Sequence, residues 1–77
     1  MTLMVEELLP FQQRVVEEKA DLDMRLSKLT QFIGTDKYQS LPIIERHLLI
    51  AQQSAMKSYS ECLELRLLEW LDRKEKE

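Results

Sequence analysis

The sequence predicts an all-α protein: an antiparallel two-helix hairpin that assembles with copies of itself into a homo-oligomeric helical bundle. Three observations carry this. Apolar residues recur every seven positions in two long stretches; the strong helix breakers fall only near the start and in one central window; and 77 residues are too few for a self-sufficient core. A chain of this size hides only roughly 60–65% of the surface that its unfolded form exposes, so some staple is required.

In the first stretch Leu8, Val15, Leu22 and Leu29 stand seven apart, with Phe11, Leu26, Phe32 and Ile33 filling intermediate positions of the same stripe. This repeat keeps one helical face apolar over many turns, which places helix one at about 7–33. Pro10 is tolerated in the first turn, where its missing N–H costs no hydrogen bond. Gly34, the only glycine, is expected to end the helix in the left-handed conformation.

Residues 34–41 then read as a polar connector, and Leu41-Pro42 can open a second helix over about 42–72 with Pro42 in its first turn. Its stripe is Leu49, Met56, Leu63 and Trp70, widened by Leu48, Ala55, Tyr59 and Leu67. The tail at 73–77 is wholly charged and is expected to fray. The whole chain, 1–77, forms a single domain.

Two helices of ~28–30 residues, each ~42–45 Å long, bury their stripes by turning back on one another. With the bend near Tyr38, Ile33 falls opposite Ile43, Arg25 opposite Gln52, Leu22 opposite Ala55, Glu18 opposite Tyr59 and Phe11 opposite Arg66. Leu9, Val16, Met24, Ile44, Ile50, Leu65, Leu68 and Leu71 are left over, and covering them calls for a dimer or tetramer. No other staple is on offer, because Cys62 is the only cysteine and no Cys/His cluster has metal-ligand spacing.

The net charge of −3 argues against binding a nucleic-acid polymer, which takes clustered Lys and Arg to displace counterions. No apolar run approaches the ~20 residues of a membrane span, and the first residues are acidic rather than basic, so the expectation is a cytoplasmic protein without membrane attachment. No glycine-rich phosphate loop, Ser/His/Asp set or paired acid and base is present, so no catalytic residue, metal or cofactor is expected. His47 is expected at or near the surface. Cys62 is expected on the apolar side of helix two, acting as a small hydrophobe, and Glu17-Glu18-Lys19 on a solvated face.

Polar residues also recur where the seam should be apolar: Glu18 and Arg25 on helix one, Gln52, Tyr59 and Arg66 on helix two. Two readings follow. In one, Glu18 bonds Tyr59 and Arg25 bonds Gln52, fixing helix register as a polar layer does in coiled coils. In the other, Arg14, Arg25, Lys28 and Arg66 present cations to phosphate while Tyr59 or Phe11 stacks on a base.

Taken together, Gln13-Arg14-Val15, Glu18, Leu22, Arg25, Leu29 and Phe32-Ile33, followed by Leu48-Leu49, Gln52, Met56, Tyr59, Leu63 and Arg66, resemble a family of small phage and prophage proteins related to a crAss-like phage reading frame. The resemblance spans roughly residues 12–67 and departs from the family at Leu41-Pro42-Ile43-Ile44-Glu45. It implies a virus-encoded, non-enzymatic protein of the host bacterial cytoplasm. Small phage proteins of this kind include oligomeric sponges that sequester cyclic-nucleotide signals of bacterial defence, an anti-CBASS activity. Two functions are therefore expected to compete: capture of a cyclic dinucleotide or related nucleotide between protomers, and a helical interaction module that docks on and inhibits a host protein.

Overall fold

A computed structural model describes residues 8–76, which form three helices: α1 (Pro10–Ile33), α2 (Asp36–Gln39) and α3 (Ile43–Lys76). Pro10 occupies the first turn of α1, and the Gln12 side chain accepts a 3.0 Å bond from the Leu9 N–H, satisfying one of the donors a helix start leaves open. The helix start expected at Glu7 lies outside the described residues. Among those described, no helix is long and apolar enough to cross a membrane.

Side-chain bonds between the long helices link Glu18 to Tyr59, Lys19 and Asp23 to Ser60, and Thr30 to Gln53. Residue numbers rise along α1 as they fall along α3, so the two helices lie side by side and antiparallel. The molecule measures 54 × 20 × 17 Å, close to the ~51 Å that 34 residues of α3 give at ~1.5 Å per residue.

The seam is built by steps of three and four. Val15, Lys19, Leu22, Leu26, Leu29 and Ile33 on α1 are all buried or half-buried, as are Arg46, Leu49, Gln53, Met56, Ser60, Leu63, Leu67 and Trp70 on α3. That alternation is the signature of a coiled-coil seam, and it contains both seven-residue stripes expected from the sequence. Leu63 is the best-packed side chain, with 1% of its surface exposed.

Several neighbours assigned to the seam fall outside it. Leu48, Ala55 and Tyr59 on α3 and Phe11 on α1 are exposed, because each stands about 100° around its helix from a seam residue. Ala55 therefore does not face Leu22 across the seam, and Ile43 does not face Ile33: Ile43 is exposed, and Tyr38 closes that end instead. Cys62, expected on the apolar side, is exposed as well.

The connector also differs from expectation. Gly34 has φ −83° and ψ 6°, and no described residue is left-handed. The chain instead continues into another helical turn: Gly34 N–H bonds the Gln31 carbonyl at 3.2 Å, and the Thr35 hydroxyl donates to the Phe32 carbonyl while accepting from Tyr38 N–H, capping α2. This turn drives Tyr38 into the core. There its hydroxyl donates to the Arg46 carbonyl at 3.3 Å, and its ring meets Phe32 edge-on at 6.2 Å.

At the other end α3 runs on to Lys76, past the point where a charged tail was expected to fray. Arg, Lys and Glu are good helix formers, and cations are favoured near a helix C-terminus.

Candidate functional site

The polar residues that recur every seven positions lie along one edge of the helix pair, not inside it. Glu18 and Arg25 on α1, and Gln52, Tyr59 and Arg66 on α3, are all exposed. Their pairing was nonetheless legible: the Tyr59 hydroxyl donates to the Glu18 carboxylate, as expected from the register. Arg25 pairs instead with Asp21 on its own helix at 3.0 Å, and Gln52 reaches only the Met56 sulfur at 3.9 Å. The Glu18 carboxylate raises the Tyr59 pKa above its ordinary value of 10.0, because it holds the phenol proton.

The polar layer inside the seam is a different set, one residue further along each helix. Lys19 donates to Asp23 at 2.7 Å and to Ser60 at 3.1 Å, and Ser60 donates to the other Asp23 oxygen. The Lys19 and Ser60 bonds lower the Asp23 pKa below 3.8. Lys19 therefore belongs to the seam and not, as expected, to a solvated face. Gln53 adds a 3.0 Å bond to Thr30 across the helices. The signal that could have found this layer is the three-four alternation: Ser60 lies midway between Met56 and Leu63 on that pattern and Tyr59 does not.

The candidate ligand residues share the outer edge but do not converge on one spot. Phe11, Arg25 and Tyr59 flank the seam on the side marked by the Glu18–Tyr59 bond, and Arg14 and Lys28 lie one position further round on α1. Phe11 and Arg25 are 14 residues apart, about 21 Å of helix, which exceeds the reach of one small ligand. Two groups result. At the open end, Phe11 meets the Trp70 ring edge-on at 5.5 Å and the Arg66 guanidinium lies over Trp70 at 5.4 Å, with Arg14 one turn from Phe11. Nearer the closed end stand Arg25 and Lys28 on α1, both exposed.

Trp70 thus joins the site although the sequence pattern marked it only as part of the apolar stripe of helix two. Among the described residues Arg14 and Lys28 have no acidic partner, and no group of three or more His, Cys, Asp or Glu side chains could hold a metal.

Two paired helices carrying a strip of arginine and aromatic side chains define a class: a small all-helical protein whose distinctive chemistry lies on its surface. The chain belongs to the Sequestin family, whose model matches residues 9–69. It is also 36% identical over 63 residues to an uncharacterized 7.5 kDa protein of the denB-rIIB intergenic region in Enterobacteria phage T4, a match covering 82% of this chain and 98% of that protein. This likeness supports the phage character that the family resemblance implied. No solved structure matches.

Proposed function

We propose that this protein is a non-enzymatic phage immune-evasion factor whose oligomer sequesters a small cyclic-nucleotide defence signal, a cyclic dinucleotide or a close relative, in the host cytoplasm. The observation that carries the reading is the open-end cluster. Phe11 is half exposed, Arg66 stacks on Trp70, and Arg14, one turn away, has no acidic partner among the described residues, which joins two cations to an aromatic platform. Guanidinium forks suit phosphate and aromatic faces suit bases, so the cluster has both halves of a nucleotide's chemistry. The family's name, which speaks of sequestering, points the same way. Arg25 and Lys28 lie too far along the helix to touch the same molecule from the same protomer, and they serve this reading only as a second contact set.

Calorimetric titration of wild type, Arg66→Ala and Arg25→Ala with a panel of cyclic dinucleotides and other cyclic nucleotides tests it. The expected result is binding by wild type that weakens by the ~1.5–3 kcal/mol of a charge-assisted bond in Arg66→Ala, with helicity unchanged. Absence of binding by folded wild type across the panel overturns the reading. It would leave the second function, docking on a host protein, which the exposed apolar residues of α3 would serve.

A further inference from the structure

The total accessible surface is 6013 Å². A compact monomer of 9.2 kDa exposes roughly 4,900 Å², so this chain shows about 1,100 Å² too much, more than the ~800 Å² each partner hides in a standard interface. Among the described residues, seven of the ten exposed large hydrophobic side chains belong to α3: Ile43, Ile44, Leu48, Ile50, Tyr59, Leu65 and Leu68.

They are not scattered. Ile44, Leu48, Ala51, Ala55, Ser58, Cys62 and Leu65 also advance by steps of four and three, all exposed, along a second stripe diametrically opposite the seam. Ile44, Leu48 and Leu65 each expose more than 60% of their surface at the two ends, while the middle of the stripe is small residues. Bulk at both ends and small side chains between them give the stripe the same outline read from either end.

We propose that a second copy of this chain covers this stripe, with the two α3 helices antiparallel about a two-fold axis at Ala55. Ala55 then meets its own counterpart, Ala51 meets Ser58, Leu48 meets Cys62, and Ile44 meets Leu65 of the other copy. The flanking residues agree on charge in the same register: Glu45 falls opposite Arg66, twice by symmetry. This names the face and register of the self-association in the preceding reading; the variants that test it leave Arg66, which both readings use, unchanged, so the two can fail separately.

Cysteine chemistry tests the register without a nucleotide. In the antiparallel register the two Cys62 residues lie about 10 Å on either side of the axis, too far apart for a disulfide, whose Cα atoms must approach within ~7 Å. Oxidised wild type should therefore run as a single chain on a denaturing gel. The double variant Ala55→Cys/Cys62→Ser should cross-link to a dimer, as should Leu48→Cys through the native Cys62. Cross-linking of wild type would establish parallel pairing and overturn the proposal, as would failure of both engineered variants to cross-link.

Ala55→Glu provides an independent reading, because Ala55 is exposed in the single chain and the change leaves the seam intact. Sedimentation should show wild type at twice or more the chain mass and Ala55→Glu at a lower multiple. An unchanged mass for Ala55→Glu would show that this face is not the interface.

Discussion

Leu63 and Leu65 are the same side chain two residues apart on one helix, yet Leu63 exposes 1% of its surface and Leu65 exposes 65%. A step of two residues turns about 200° around α3, so one leucine enters the seam with α1 and the other stands on the opposite face. The pair shows that α3 has two apolar faces, and that α1 satisfies one of them. Sequence composition alone does not separate the two roles, because both faces repeat by threes and fours.

The largest expected effect sharpens that contrast. Leu63→Ala should destabilise by roughly 2–5 kcal/mol, as a large-to-small change in a packed site, whereas Leu65→Ala should cost the individual helix pair almost nothing and instead weaken self-association. Thermal melts and sedimentation on both variants separate these outcomes. Equal losses in melting temperature with no change in mass would collapse the distinction between the faces.

Next comes the polar layer within the seam. Ser60→Ala removes a buried hydroxyl that joins Lys19 and Asp23 and should cost about 1 kcal/mol in a denaturant melt, the usual size for a hydrogen-bonded group. Asp23 supplies a pH signature. Its folded pKa lies below the unfolded value, so its contribution is present above about pH 4 and is lost as pH falls through the folded pKa. Wild type should therefore lose stability on acidification more steeply than Asp23→Asn.

The edge pair behaves in the opposite direction. The folded pKa of Tyr59 is raised by Glu18, so the contribution of that bond is present at neutral pH and is lost as pH climbs past 10 and through the folded value. Because the pair is exposed, Tyr59→Phe should shift the melting temperature at neutral pH far less than Ser60→Ala. A larger loss from Tyr59→Phe would mean that the edge, not the seam, fixes the register.

The smallest effect is a gain. Gly34 has an ordinary negative φ, and a methyl group there would meet the Gln31 carbonyl at a comfortable 3.5 Å. Gly34→Ala should stabilise by ~0.4–1 kcal/mol by restricting the unfolded chain, measurable as a rise in the denaturation midpoint. Destabilisation would indicate a left-handed turn at this residue.

The helical class and the two seven-residue stripes were legible in the sequence because a seam needs apolar residues at a fixed period. Even the matching of Glu18 with Tyr59 followed from counting outward from the bend. What could not be read directly was which of two adjacent residues faces inward, as with Glu18 against Lys19 and Tyr59 against Ser60. Lysine and serine are unusual seam residues, and they are accommodated because each satisfies the other through Asp23. The packing of Tyr38 was hidden for a different reason: its connector looks polar, and only the extra helical turn after Gly34 aims that ring at the core. In the candidate site, Arg66 and Phe11 were visible as polar and aromatic punctuation of the stripes, whereas Trp70 was masked by its own place in the repeat.

The central claim is sequestration, and its most direct test needs no assumption about the ligand. The protein is purified from cells in which a defence system is producing its cyclic-nucleotide signal, then denatured, and the released small-molecule fraction is examined by nucleobase absorbance and intact mass. The account predicts a nucleotide released in fixed proportion to protein by wild type and in smaller proportion by Arg66→Ala, with both proteins folded beforehand. A folded wild-type protein that releases nothing, or an Arg66→Ala variant that releases as much as wild type, would contradict it.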